Sequence, residues 1–469
     1  QTKDKHTLVI TDSKETHREC AYQSRMKLEK VSGRGYFNTE DTVRVWHYER
    51  QVRSGKYTHR DFEFKTPDDH LEEEESSRAG RSLELYDYPG EYEVHPDGRA
   101  WARIRMEEEE VEEEFTWGEG NSRSLMPGFK FDLYKHDRRD QNKTYLVTSV
   151  THEGNEENFL PEEAPEELHY ANKFTCMSAD IAYRAPRKTP KHIMRGIQTA
   201  IVVGPKGEDI YCDKYGRVKV QFHWDRVGKY DEKSSCWIRV SQPWAGKNWG
   251  AMFLPRIGQE VVVDFVESDP DRPLIVGRVY NAHQMPPWEL PKYQNLSGYK
   301  TRSTLKGTPE NYNELRFDDT KGKEEFLMHA ERNMRITVEN DTIEHVMYNR
   351  YLTVDYNQYE EVKKSSHSKV GGDRRESTDG NLHINAGGEI HQKSGQVTTI
   401  EAGGDIVLKA GGKLIISAGM GVSLTGPGGF VDIGPAGINI QGTMVMINCG
   451  SAPPGPGTPC NPRAPDTPK

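Results

Sequence analysis

Five places in this chain have residue types and spacings that could support chemistry. His152 and Glu153 open the zinc-hydrolase pattern His-Glu-x-x-His, in which two histidines one helical turn apart hold the metal and the glutamate activates water. Glu156 stands where the second histidine belongs, so the pair reads as the end of a surface strand. Gly411-Gly412-Lys413 suggests a phosphate loop, but Val407 replaces its first glycine and Leu414 its hydroxyl residue. His367, His383 and His391 share one column of an eight-residue repeat, and three copies of a chain could converge them on a metal. That column adjoins apolar ones, so its side chains should point outward and no metal is assigned. Asp318-Asp319 and Glu324-Glu325 could supply the paired carboxylates of a glycosidase. Adjacent strand residues face opposite ways, which makes an exposed strand the expectation. The glutamates at 107–110 and 112–114 could hold a cation or a basic partner. They read instead as the solvated face of a helix capped by Asp97, with Ala100, Ile104 and Val111 on one side. No catalytic residue, metal ligand or cofactor is assigned, and a non-enzymatic protein is expected.

Composition narrows the classes further. The chain has 469 residues, of which 34% are hydrophobic, with a mean hydropathy of −0.85. That is polar for a compact globule of this size and suits an elongated body. A net charge of −10 and a pI near 6.0 give no global attraction to nucleic acid or an anionic membrane. No run of about 18 apolar residues exists to span a bilayer. The six cysteines, Cys20, Cys176, Cys212, Cys236, Cys449 and Cys460, form no Cys-x-x-Cys pair, so free thiols in a reducing compartment are expected. The start, Gln1-Thr-Lys-Asp-Lys-His6, lacks an apolar signal core and runs into a strand-like Thr7-Leu-Val-Ile10. It predicts cytoplasmic synthesis without a signal peptide and a chain that opens inside a domain.

The elements that must position these residues are mostly strands. Residues 1–185 read as mixed, mainly β, with Val43-Arg-Val-Trp46 and Tyr145-Leu-Val-Thr-Ser-Val150 as strands. A Pro/Lys-rich linker follows at 186–195. Residues 196–283 offer five short strands, at 199–203, 217–221, 237–240, 260–265 and 274–280, which suit a small closed barrel of the OB-fold type. Within it Val218, Val220, Phe222 and Trp224 alternate with polar residues and should share a buried face, while Asp213-Lys-Tyr-Gly216 makes a turn. No basic stripe with interleaved aromatics accompanies the barrel, so Trp237, Trp244 and Trp249 read as packing or subunit contacts. Residues 284–312 form a connector, 313–448 a repeat, and 449–469 a Pro/Gly-rich tail.

The repeat has a period of eight. Small or β-branched residues recur from Val338, Val346, Val354, Val362 and Val370 through Thr378, Ala386, Ser394, Ala402, Ala410 and Ala418 to Gly426, Gly434 and Gly442. Two further columns mark an inner face. One holds Leu382, Ile390, Ile406, Leu414, Val422, Phe430, Ile438 and Met446; the other holds Ile384, Ile400, Leu408, Ile416, Leu424 and Ile440. Gly387, Gly395, Gly403, Gly411 and Gly419, then Pro427 and Pro435, occupy the turn position. Each octad offers two or three aliphatic side chains, worth roughly 1.5–3 kcal/mol apiece when buried. Fixing eight residues costs on the order of 1–2 kcal/mol each, so a lone ribbon is unstable. Eight residues are also too few to circle a core. Three chains sharing one triangular prism satisfy both constraints, with Leu382, Ile384, Ile390, Ile400, Ile406, Leu408, Leu414, Ile416, Val422, Leu424, Phe430, Ile438 and Ile440 as the shared core. The shrinking series from Val338 to Gly442 predicts a prism that narrows towards its end. Met444, Met446, Ile447 and Asn448 would close it with an apolar triangle suited to docking.

The stretch Val203-Gly-Pro-Lys-Gly-Glu-Asp-Ile-Tyr-Cys-Asp-Lys-Tyr-Gly-Arg-Val-Lys-Val-Gln-Phe-His-Trp-Asp225 resembles the barrel of VgrG proteins, spikes of the type VI secretion system. So do Cys236-Trp-Ile-Arg-Val-Ser-Gln-Pro-Trp-Ala-Gly246, Pro255-Arg-Ile-Gly-Gln-Glu-Val-Val-Val-Asp-Phe265 and Asp269-Pro-Asp-Arg-Pro-Leu-Ile-Val-Gly-Arg-Val-Tyr-Asn281. Residues 1–185 look like the later part of the family's phage-baseplate-hub-like region. The resemblance implies a mainly β chain with a partial hub-like region, an OB-fold collar and an intertwined trimeric β-prism needle. It also implies a homotrimeric puncturing spike that sits on an Hcp tube, receives a PAAR-repeat tip protein and carries effectors, delivered outside the cell by type VI secretion. The connector, residues 284–312, leaves no room for an enzyme domain between collar and needle. The competing expectation is a phage-type trimeric tailspike that binds or cleaves surface polysaccharide. A third, an autotransporter-like adhesin, fits the collar motifs poorly.

Overall fold

The computed structural model describes residues 8–29, 41–78, 82–154 and 170–445. It divides into two compact units, Gln1–Arg335 and Ile336–Lys469.

The first unit begins with a closed six-stranded barrel. Its order around the barrel is Arg25–Leu28, Thr42–Arg50, Glu114–Gly120, Tyr170–Ser178, Thr144–Gly154, Lys130–Tyr134, and the last pairs with the first. Met26, Val43, Phe131, Tyr145, Val147 and Phe174 fill it. Two β-bulges explain why the alternation of the sequence is imperfect. A shift between Val43 and Val45 moves the inward phase from Val43 to Trp46, and one between Val147 and Ser149 moves it from Val147 to Val150. Residues 8–10 carry no strand, so the expected strand at Thr7-Leu-Val-Ile10 is absent from its described part.

Beside the barrel a sheet ordered Leu71–Ser76, Lys56–Asp61, Glu84–Asp87 carries the helix His95–Val111. The helix exists as expected, but its ends and buried face differ. Val94 is the N-cap and Pro96 lies in the first turn, so Asp97 is inside the helix rather than capping it. Gly98, Ala102 and Met106 face the core, one helical turn apart, in place of Ala100, Ile104 and Val111. Close approach selects that face: a β-carbon at Gly98 would stand 2.5 Å from the Tyr92 ring.

The second barrel follows. Its five strands pair in the order Lys219–Phe222, Gln198–Val203, Glu260–Phe265, Pro273–Val279, Arg239–Val240. The ends of this sheet meet through a bridge in which Val218 and Ile238 exchange backbone hydrogen bonds of 3.0 and 2.8 Å, closing the barrel. Val218 and Val220 are buried as expected and Phe222 packs against the core. Trp224 does not share that face; it is exposed and donates its indole N–H to Gln198 Oε1 at 2.8 Å. At the 213–216 turn the Asp213 carboxylate accepts from the Tyr215 and Arg217 amides, and Gly216 takes φ +70°.

The expected connector holds a strand. Leu296–Lys300 pairs with Glu314–Asp318, which pairs with Glu325–His329, so residues up to 329 form a sheet of the first unit and the repeat starts after them. From there the chain bends at 331–332, 339–340 and every eighth residue onward to 419–420. Six extended residues separate successive bends, and among the described residues none of these stretches pairs with another part of the chain. After 420 the pattern changes to an antiparallel meander, Val422–Gly426, Gly429–Gly434, Gly437–Gly442. Pro427 and Pro435 open its two-residue turns.

Candidate functional site: an unpartnered apolar ribbon and the joint that carries it

In the octads the bends fall on the glycine column, at Gly387, Gly395, Gly403, Gly411 and Gly419. The valine column precedes the bends and is 44–50% exposed from Val338 to Val370, whereas Met347, Tyr348 and Tyr356 are 92–94% exposed. One side of the ribbon therefore already folds inward at the corners. The expected core side chains Leu382, Ile384, Ile390, Ile400, Ile406, Leu408, Leu414 and Ile416 are 52–73% exposed within the single chain. A row of aliphatic side chains left in water, on a backbone that forms no strand ladder among the described residues, is a surface awaiting other chains.

The meander corrects the expected core at its end. Val422 and Leu424 pair with Ile433 and Val431, which pair with Ile438 and Ile440. These six share one face. Phe430 stands on the opposite face with Thr425 and Gln441, so it does not belong with Ile438 as the period of eight implied. The cause is the two-residue turn, which matches Gly426 with Gly429 and so pairs even-numbered residues with odd ones. Val431 and Ile433 were missed for the same reason. A switch of parity at each hairpin is the signal that would have found them.

Met444 is exposed. The rest of the expected docking end, Met446, Ile447 and Asn448, lies outside the described residues, as do Cys449 and Cys460. Cys20 and Cys176 are buried thiols and Cys212 and Cys236 exposed ones, none of them in a disulfide. Burial pushes the Cys176 thiol well above its ordinary range.

The candidate chemistry disperses. His152 lies on the strand Thr144–Gly154 and shares a hydrogen bond with the Tyr170 hydroxyl. His391 pairs with Glu389 at 2.7 Å. Glu325 accepts from Arg316 at 2.8 Å, and a Thr320 hydrogen bond holds the Asp318 carboxyl below its usual range. Among the described residues no group of three or more His, Cys, Asp or Glu side chains gathers around a metal-sized space.

The acidic run is not a solvated face. Glu107 bonds Arg184 at 2.6 Å, Glu108 accepts from the Arg187 amide at 2.9 Å, and Arg53 reaches Glu109 and Glu112 at 3.0 and 2.7 Å. Glu110 accepts from the Arg78 amide at 2.9 Å, and Glu113 pairs with Arg50 at 2.6 Å. The side chains of Glu107, Glu108, Glu109 and Glu113 are about one-fifth exposed or less. This helix clamps basic residues from both sides of the first barrel, including the start of the expected linker.

That linker is pinned at its other end too. Lys191 bonds Glu91 at 2.7 Å and Asp269 at 2.8 Å. Asp61, on the small sheet, forms a bidentate pair with Arg272 of the second barrel at 2.9 and 2.6 Å and also accepts from the Phe62 and Glu91 amides. Burial opposes the Asp61 charge, but the Arg272 guanidinium and these amides outweigh it and hold the carboxyl below the usual range. The small sheet and the second barrel are thus joined by an ionic lock built around a buried carboxylate.

Comparison with known proteins follows the same division. The family profile of the phage tail baseplate hub matches residues 1–158, that of the type VI secretion system/phage-baseplate injector OB domain matches 206–280, and that of the bacteriophage T4 gp5 C-terminal trimerisation domain matches 297–409. Over 299 residues the chain is 48% identical to the type VI secretion system spike protein VgrG1b of Pseudomonas aeruginosa, covering 63% of this chain and 40% of that one. It is 44% identical over 342 residues to VgrG1c of the same organism, covering 72% and 47%. The chain belongs to the VgrG family. It spans about half the length, or less, of these VgrG relatives. A solved structure of an E. coli type VI secretion component aligns at 24% identity and TM-score 0.29, over 48% of this chain and 57% of that one, and bears no weight in the assignment. In this VgrG chain the hub profile covers most of the first barrel, the OB profile covers four of the five strands of the second, and the trimerisation profile begins in the three-stranded sheet and runs into the octads.

Proposed function

We propose that three copies of this chain wind into one puncturing spike of a type VI secretion machine, acting mechanically and without catalysis. The observation that carries this reading is the bend at every eighth residue from 331–332 to 419–420, with aliphatic-bearing stretches between bends that pair with no other strand among the described residues. Inter-chain strand pairing would satisfy those backbone groups and bury the aliphatic face. Chains interlocked in that way cannot unfold one at a time, so force passes along the shaft. The ionic lock at Asp61–Arg272 fixes the collar to the small sheet within the first unit. The relatives' designation as type VI spike proteins supports the setting.

In that setting the base would rest on the Hcp tube, and the assembly would be made in the bacterial cytoplasm and delivered outside with effector proteins. The end at Met444 would receive a PAAR-repeat protein. Deleting residues 444–469 should abolish co-purification of such a protein while leaving the trimer intact; undiminished capture would refute the docking role. The trimer itself is tested by Ile416→Asp. Three carboxylates brought together in an apolar core carry a heavy desolvation penalty, so the variant should lose SDS-resistant trimer. A variant that stays an SDS-resistant trimer contradicts the shared core.

A further inference from the structure

The sheet that precedes the ribbon has its faces reversed. Tyr299, Leu315 and Met328 lie in one cross-strand row, and Ser297, Phe317 and Phe326 in the next but one, so these six share a face. Tyr299, Phe317, Phe326 and Met328 on it are 42–59% exposed, and the Phe317 and Phe326 rings stack at 5.0 Å. The opposite, polar face is the covered one. There Glu314 is buried and accepts the Trp288 indole N–H at 3.1 Å. The sheet is also fastened to the second barrel. Arg256 bonds the Arg302 carbonyl at 2.8 Å, the Leu305 amide bonds Asp209 at 3.0 Å, and Phe253 stacks on Tyr299 at 5.4 Å. A single chain would gain by burying the aromatic face; this one fastens it at Tyr299 and leaves Phe317, Phe326 and Met328 half exposed.

The occupant is a second copy of the chain. The sheet ends at His329, two residues before the first bend. The profile of a trimerisation domain starts at residue 297, inside the sheet, and runs through to 409. The ribbon also has a problem that it cannot solve alone. Valine occupies the same octad position five times running, from Val338 to Val370, and glycine marks the bend from Gly387 to Gly419. Sliding one copy by an octad exchanges like for like and unpairs only the ends. Register is weakly specified in such a repeat. The aromatic face of the sheet has no period of eight and occurs once.

We propose that the face bearing Tyr299, Phe317, Phe326 and Met328 docks against the other copies of this chain and thereby sets the register in which the octads pair. This rests on the trimer reading above. The test uses the full chain with Cys212, Cys236, Cys449 and Cys460 changed to Ser. One tagged copy carries Val370→Cys and a differently tagged, co-expressed copy carries Ala386→Cys, two octads on. With the sheet intact, oxidation should give 370–370 and 386–386 disulfides and no 370–386 disulfide. Adding Phe326→Lys, or the milder Phe326→Ser, should lower the 370–370 yield at least fivefold and produce 370–386 cross-links. Loss of the trimer with the thermal transition of the two barrels unchanged also supports the docking role. A Phe326→Lys chain that remains trimeric by light scattering and cross-links only in register overturns the proposal. A parent chain that is itself monomeric overturns the trimer reading instead, and this proposal with it.

Discussion

Asp61 and Arg272 are separated by 211 residues, and their pairing fastens the small sheet to the second barrel. The Asp61 side chain is 1% exposed and that of Arg272 27%, so removing the cation strands a buried carboxylate. Arg272→Ala should therefore destabilise the joint by about 3–5 kcal/mol, read as a lower first transition in thermal or denaturant unfolding. The pH dependence has a definite sign. The folded-state pKa of Asp61 is depressed, so its contribution is fully present above the ordinary carboxylate value of about 4 and is lost as pH falls through the depressed one. Asp269, which bonds Lys191, has a depressed carboxyl as well and adds to the same acid limb. Asp61→Asn should flatten that limb in melting curves taken below about pH 4, and an unchanged limb would show that the pair contributes nothing. None of this was legible in the sequence. No period or motif links residue 61 to residue 272, and the acidic run, which was visible, gave no sign of the arginines that close on it from 50–53 and 184–187.

At the scale of elements, legibility follows periodicity. The octad bends fall where the glycine column placed them, because a turn position repeated at fixed spacing needs no tertiary information. All five strands of the second barrel were visible as short β-branched runs. Its closure through Val218 and Ile238 was expected from strand number alone, while the strand order came only from the structure. The helix was legible in kind but not in face, since Gly98 lets its backbone approach Tyr92 more closely than a larger side chain would allow. Phe430 shows how periodicity fails: counting by eight assumes a constant sense, and a hairpin reverses it. The reversal makes a sharp prediction. Ile433→Ser removes an aliphatic side chain from the shared face, at about 2 kcal/mol in each chain, and should lower the temperature at which the SDS-resistant trimer dissociates. Phe430→Ser, on the other face, should lower it much less. Equal effects would argue that both faces are buried in the assembly.

The whole molecule is marked by what one chain leaves undone. Its two barrels have closed cores of their own. Among the described residues no strand forms between His329 and Val422, and both the ribbon and the final meander turn aliphatic faces to water. Such a chain is complete only as part of an assembly, and the octad geometry asks for three. The most direct test is mass in solution by multi-angle light scattering of the full chain at neutral pH. The account predicts three times the 53.5 kDa chain mass, persisting on dilution. A particle with the mass of one chain or two, its barrels intact, would contradict it.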